Sequence, residues 1–192
     1  MDTGYLLDRR TAVPQIVGDH RDFLFVTGLG GTSRDISHLT GDGANLYALG
    51  GAMGAALSVG LGLALARPDR RVMVVTGDGE LLMGVGTLAT IAVMDPPNLS
   101  VLCVDNGHYL ETGRQVTHTA RGTDLEAMAR GAGFKATATV GAEAQIGHGR
   151  AVLREPAHCS FVLLRVAPTD PPAFRRDMDA AATRLRMKAS LA

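Results

Sequence analysis

The sequence predicts an α/β fold in which helices cover both faces of a mostly parallel sheet, and three observations carry that expectation. Continuous apolar, β-branched runs bounded by breakers occur at Phe23–Thr27, Arg71–Thr76 and Leu99–Asp105, the mark of strands buried on both faces. Segments of helical character lie between them. Strands that alternate with helices suit a parallel sheet, because each parallel pair needs a crossover connection.

In chain order, Phe23–Thr27 leads into Gly28-Leu29-Gly30-Gly31-Thr32, and a Gly/Ala-rich helix is expected over Gly51–Ala66. That apolar stretch is shorter than the roughly 20 residues that span a bilayer, so it reads as a buried helix. The strand Arg71–Thr76 runs into Gly77-Asp78-Gly79, a helix is expected over Gly84–Met94, and Leu99–Asp105 follows. Helices at Leu125–Gly131 and Glu143–Arg154 precede a fourth strand, Phe161–Val166. Beyond Pro168 the composition shifts to Asp-Pro-Pro and then to Arg175–Met187, readable as one amphipathic helix. The organisation expected is a domain over 1–168 and a C-terminal helical tail over 169–192.

Composition narrows the functions. A chain of 192 residues with 46% apolar content can bury one core. Lysine plus arginine equals aspartate plus glutamate at 19 each, so no excess positive field favours nucleic acid or an anionic membrane. A phosphate-bearing ligand would have to be held by local groups or a metal. Cys103 and Cys159 lie apart with no C-x-x-C spacing, and no basic-then-apolar leader opens the sequence, so a reduced cytoplasm is expected.

In open parallel sheets ligands sit beyond the carboxyl ends of the strands, which directs attention to Gly28–Thr32, Gly77–Gly79 and Asn106 onward. Asp78 and Asn106 end two strands of one sheet and offer hard oxygen donors, which Mg²⁺ takes together with phosphate oxygens. Gly77 and Gly79 let the backbone turn and approach a ligand, and the helix that follows can aim free amides at it. Taken alone, Gly-Asp-Gly is also an ordinary turn. Its spacing to Asp105-Asn106 gives it a second meaning.

Gly77-Asp78-Gly79, some two dozen residues, then Asp105-Asn106 resembles the metal motif of the thiamine-diphosphate enzymes, written GDG followed by NN. Asn106-Gly107-His108-Tyr109, Thr112-Gly113 and Gln115 are similar to the corresponding stretch of sulfopyruvate and phosphonopyruvate decarboxylases, and the likeness spans Asn45 to Val166. The resemblance implies a three-layer α/β/α fold around roughly six strands, with thiamine diphosphate and Mg²⁺ as cofactors. It places the metal on Asp78, Asn106 and the His108 carbonyl. The first Asn of the usual pair is replaced by Asp105, and the ligating second Asn is kept. Gly50–Gly54 resembles the segment in which a bulky residue wedges the cofactor into its bent shape and a carbonyl accepts from its aminopyrimidine. Those roles fall on Met53 and Gly51. Glu80, His108 and Tyr109 flank the same motif and complete the expected cofactor contacts.

The activity implied is decarboxylation of a small 2-oxoacid, with the cofactor as electron sink. His108, Tyr109 and His118 are the candidate proton donors on the loop after Asn106, and Arg114 is a candidate for pairing with a substrate acid. The family's activating glutamate belongs to a pyrimidine-binding domain for which 192 residues leave no room. Neither Glu80 nor Glu111 stands in its place. A separate α subunit is therefore expected to supply it, in an α2β2 or larger heteromer. Alternatives from the same superfamily are the β subunit of a 2-oxoacid oxidoreductase, to which a cysteine cluster would point, and an acetolactate-synthase-like carboligase. A non-enzymatic sensor or regulatory subunit would be expected to have lost the metal pair. A dinucleotide-binding dehydrogenase is disfavoured, because Gly28-Leu29-Gly30-Gly31-Thr32 lacks the final glycine of G-x-G-x-x-G.

Overall fold

The computed structural model describes residues 4–191. Helix α1 (Arg9–Val17) leads into strand β1 (Phe23–Thr27), α2 (Gly30–Thr40), β2 (Leu46–Ala48), α3 (Ala56–Ala66) and β3 (Arg71–Gly77). Then come α4 (Asp78–Met83), α5 (Thr87–Met94), β4 (Leu99–Asp105) and the two-residue strands β5 (His108–Tyr109) and β6 (Gln115–Val116). The chain continues through α6 (Leu125–Ala132), β7 (Ala136–Val140), α7 (Ile146–Val152), β8 (Ser160–Arg165) and α8 (Ala180–Ser190).

Six strands form one parallel sheet in the order β2-β1-β3-β4-β8-β7. Alternate residues of each central strand enter two separate cores. Phe23, Phe25, Met73, Val75, Leu102, Val104, Val162 and Leu164 face Ile16, Ile36 and Ile146 of α1, α2 and α7. Leu24, Val26, Val72, Val74, Val101, Phe161 and Leu163 face Leu57, Leu61, Leu88, Ile91, Leu125 and Met187 of α3, α5, α6 and α8. The period-two alternation of a strand thus makes three layers. β1 leads outward to β2, and β3 returns on its other side, so the sheet has a switch point between the carboxyl ends of β1 and β3.

The four expected strands occur within one residue of their expected limits, but the helices depart from expectation. The helix expected from Gly51 begins at Ala56, because Gly50 and Gly54 take φ of 79° and 87°, incompatible with a right-handed helix. The helix expected over Gly84–Met94 is α5, which starts three residues later at Thr87, because Gly84-Val85-Gly86 separates it from α4, which ends at Met83. Glu143–Arg154 opens as a 3₁₀ turn over Glu143–Gln145, and only Ile146–Val152 is α-helical. The C-terminal helix starts at Ala180, where the Asp179 carboxylate accepts from the Ala181 and Ala182 amides at 2.9 and 3.0 Å. The preceding segment has no regular secondary structure, with Arg176 donating to the Gly30 carbonyl at 2.9 Å and the Asp177 amide to Asp42 at 2.8 Å. α8 packs on β2, its Thr183 hydroxyl donating to the Ala48 carbonyl at 3.2 Å.

Candidate active site

A cavity opens at the switch point, lined by Leu29–Thr32 beyond β1, Gly77–Glu80 beyond β3, and Asn106 and His108–Thr112 beyond β4. Arg9, Met53, Val104 and Pro171 complete its wall. Of the residues singled out by sequence, Met53, Gly77, Asp78, Gly79, Glu80, Asn106, His108 and Tyr109 line this one cavity. Gly51 and His118 do not line it, and both are exposed. Arg114 is likewise outside, paired with Asp170 at 3.2 Å.

Asp78 begins α4 and is 3% exposed. Its Oδ2 accepts hydrogen bonds from the Thr117 and Thr119 hydroxyls, the latter at 3.1 Å. Both threonines come from a segment that folds back over the strand ends: β5 pairs antiparallel with β6, and the Thr117 amide donates to the Gly107 carbonyl at 2.8 Å. Asn106 is 8% exposed, and its amide oxygen accepts from the His108 amide at 3.0 Å. The His108 Nδ1 lies 3.0 Å from the Asn106 carbonyl, which fixes the ring against the turn. Tyr109 lies across Gly79 so closely that a Cβ there would sit 2.1 Å from the ring.

Asp105, the departure from the usual Asn, is fully buried. It accepts from the Thr119 hydroxyl at 2.7 Å, the Gly107 amide at 3.0 Å and the Tyr5 hydroxyl at 3.1 Å. Thr119 thus stands between two carboxylates. Burial first, and the Asp78 charge second, push the Asp105 carboxyl up to about 6. A raised folded-state pKa means that stability is full below pH 3.8 and is lost as the pH rises toward 6. Asp105→Asn should remove this loss, since the Tyr5 hydroxyl can turn to accept from the new amide. The variant is expected to be more stable than the parent by about 2 kcal/mol at pH 8, with the gap closing near pH 4, in urea melts. A gap that stays constant with pH would contradict this account of Asp105.

Glu80 is 5% exposed, and neither of its oxygens completes a hydrogen bond among the described residues. Burial raises its pKa, while the Thr76 hydroxyl and the Gly77, Leu29 and Gly54 amides offset part of that rise from beyond full hydrogen-bonding geometry. Gly28 makes room for it, because a Cβ at that position would lie 1.4 Å from Oε1.

The site fits a metal-bound diphosphate. Among the described residues no three His, Cys, Asp or Glu side chains converge on one point, so an ion held here would take few protein ligands and complete its shell with phosphate oxygens, as Mg²⁺ does. Asp78 Oδ1 carries no hydrogen bond among the described residues. Asp78, the Asn106 amide oxygen and the His108 carbonyl are all hard oxygen donors. Gly77 leaves the approach open, since a Cβ there would have no neighbour nearer than 4.0 Å, and Gly79 admits the Tyr109 ring to the wall.

Sequence reasoning missed Thr117, Thr119, Arg9 and Asp35. The two hydroxyls reach Asp78 across 39 and 41 residues, and no local pattern announces that. Both cysteines are buried and unpaired, and among the described residues no helix is long and apolar enough to cross a membrane.

Residues 30–166 match the family model of the thiamine pyrophosphate enzyme C-terminal TPP-binding domain. The chain is 37% identical over 145 residues to the sulfopyruvate decarboxylase subunit beta of Methanocaldococcus jannaschii, covering 76% of each chain. It is 42% identical over 129 residues to the subunit of the same name from Methanothermobacter thermautotrophicus, covering 67% of this chain and 68% of that one. A solved 2-oxoglutarate:ferredoxin oxidoreductase from Magnetococcus marinus superposes with a TM-score of 0.64 over 93% of this chain and 72% of that one. At 19% identity the superposition speaks to the fold. The chain therefore belongs to the thiamine pyrophosphate enzymes, through their C-terminal cofactor-binding domain.

Proposed function

We propose that this chain is the thiamine-diphosphate- and Mg²⁺-binding subunit of a 2-oxoacid decarboxylase of the sulfopyruvate/phosphonopyruvate type, completed by a separate subunit that supplies the activating glutamate. The observation that carries this reading is the convergence of Asp78, Asn106 and the His108 turn on one glycine-walled cavity at the switch point, in a chain whose relatives are named beta subunits of a decarboxylase.

In this reading Asp78 Oδ1, the Asn106 amide oxygen and the His108 carbonyl hold the metal, and Thr117 and Thr119 fix the rotamer of Asp78. The amides of the β1–α2 and β3–α4 turns face the diphosphate. Met53 and the Gly51 carbonyl orient the pyrimidine. Bound thiamine diphosphate supplies the sink for the electrons left by departing CO₂. His108 and Tyr109 line the cavity and can hold or deliver a proton there. Both cysteines are buried singly, Cys103 in β4 and Cys159 just before β8, which favours non-oxidative release of CO₂ over a reading with a protein-bound redox cluster. Exposed Met83, at 68%, packs its Cβ towards Gly54 of the Met53 loop and suits a seam with a partner chain.

The test is to mix this chain with the product of the neighbouring reading frame, thiamine diphosphate and Mg²⁺, and to follow CO₂ release from sulfopyruvate, phosphonopyruvate and pyruvate. Turnover that needs both chains supports the proposal, and turnover by this chain alone would remove the composite site. Met53→Ala is expected to leave Mg²⁺ dependence intact while weakening cofactor affinity about tenfold, because the residue is 36% exposed and acts by shape alone. Unchanged affinity by fluorescence titration would remove Met53 from the cofactor contacts.

A further inference from the structure

The cavity wall contains one lysine or arginine among the described residues, Arg9. It belongs to the first turn of α1, and its side chain is 2% exposed. Asp35 of α2, itself buried, takes the guanidinium by one edge: Nε lies 3.1 and 3.2 Å from the two carboxylate oxygens, and Nη2 lies 2.6 Å from Oδ2. The remaining nitrogen, Nη1, makes no hydrogen bond among the described residues. The guanidinium is pressed against Gly31 so closely that a Cβ there would stand 2.7 Å from both Nη1 and Nη2. Only glycine at 31 leaves the charged group that place in the wall.

Three further facts converge on the same spot. Gly30, Gly31 and Thr32 form the first turn of α2, whose N-cap, Leu29, has no side chain to satisfy the free amides. Those amides carry the positive end of the helix dipole. The other ionisable groups of the wall are Asp78, Glu80 and Glu111, together with His108 and Tyr109. A diphosphate carries more negative charge than one divalent ion neutralises, and a 2-oxoacid brings a carboxylate of its own. Of these acids Glu111 is paired with Arg34 at 3.4 Å, so Asp78 and Glu80 face Arg9, the one cation of the wall among the described residues, held by Asp35 on its other edge.

We propose that Arg9, oriented by Asp35 and admitted by Gly31, is an oxyanion-binding residue of this cavity, taking with Nη1 and the first-turn amides of α2 an oxygen of phosphate, carboxylate or sulfonate type. This rests on the cofactor reading for the source of the anion, which is either the diphosphate or the substrate acid. The fork of Asp35 makes the group rigid, so its free edge is preorganised. Arg114, the candidate for a substrate acid read from sequence, lies outside the cavity wall and pairs with Asp170 at 3.2 Å.

The experiment uses the assembled enzyme with Arg9→Lys, which keeps a charge beside Asp35 but loses the free edge. The double variant Arg9→Met/Asp35→Leu removes the pair together, so that no buried charge is stranded. Circular dichroism and thermal melting establish that each folds. Calorimetry gives Kd for thiamine diphosphate with Mg²⁺, for thiamine and for inorganic pyrophosphate, and steady-state kinetics give KM for the 2-oxoacid. A tenfold or greater rise in Kd for thiamine diphosphate and pyrophosphate, with thiamine unchanged, supports the proposal with the diphosphate as ligand. An unchanged cofactor Kd with a tenfold rise in KM and little change in kcat supports it with the substrate acid. Folded variants that leave all of these unchanged overturn it. A wild-type assembly that binds no thiamine diphosphate overturns the cofactor reading instead. Pyrophosphate then decides Arg9: weaker binding by the variants supports the proposal, and equal binding overturns it.

Discussion

Asp78→Ala is expected to abolish Mg²⁺-dependent binding of thiamine diphosphate while leaving the chain folded. The carboxylate is the only charged ligand in the proposed donor set, and among the described residues Oδ1 has no hydrogen bond, because the Thr117 and Thr119 hydroxyls take Oδ2. Partners behind metal ligands typically cost about 10–100-fold in affinity when removed, so loss of a direct anionic ligand is expected to exceed that range. Stability should respond differently. Removing Asp78 takes the carboxylate acceptor from the Thr117 hydroxyl, while Thr119 keeps Asp105 at 2.7 Å, but it also removes the negative charge that raises the pKa of buried Asp105. These effects oppose one another, so the melting temperature of the ligand-free variant is expected to stay within a few degrees of the parent. Calorimetry with and without Mg²⁺ and a thermal melt check both halves. Binding that keeps its Mg²⁺ dependence would remove Asp78 from the metal.

Gly84→Ala is expected to damage fold and site together. A Cβ at Gly84 would lie 2.3 Å from the Gly54 carbonyl oxygen and 3.2 Å from its carbon. The obstacle is backbone, which cannot rotate aside as a side chain tip can. Gly54 is held at a φ of 87°, and its own Cα faces Met83, where a Cβ would meet the Met83 Cβ at 2.9 Å. The end of α4 and the loop carrying Met53 therefore fit only through two hydrogen-sized side chains. Relief requires the Met53 loop to move from the cavity. The cost is expected to be about 3 kcal/mol, or a fall of roughly 5–10 °C in melting temperature, with weaker cofactor binding. Gly86→Ala is the control, because a Cβ there meets open space and its φ is −59°. Equal melting of Gly84→Ala and Gly86→Ala would contradict the packing described.

The central strands were legible because they are buried on both faces, and continuous apolar runs such as Leu99–Asp105 have few other meanings. The edge strands were not. β2 is three residues long, and β7, Ala-Thr-Ala-Thr-Val, is half-buried and made of small residues, so neither carries a strong pattern. α1 contains Pro14, which argues locally against a helix, and α2 is Gly-, Ser- and Thr-rich and held by tertiary packing of Ile36. The site divides along the same line. Asp78 and Asn106 follow strands within one spacing motif, so they could be read from sequence. Arg9, Thr117 and Thr119 reach the site through pairings 26 to 41 residues apart in sequence, which only the folded topology brings together. The substitution at Asp105 was visible as a departure from the family's pair. Its cost, a buried carboxylate sharing Thr119 with Asp78, was not.

The measurement that tests the central claim most directly is a calorimetric titration of thiamine diphosphate with Mg²⁺ into this chain, first alone and then mixed with the product of the neighbouring reading frame. The account predicts weak binding by the isolated chain and tight, Mg²⁺-dependent binding in the mixture, lost with Asp78→Ala. No binding in either condition would contradict the assignment of the Asp78–Asn106 cavity as the cofactor site, and equally tight binding by the chain alone would contradict the claim that the site is completed by a partner.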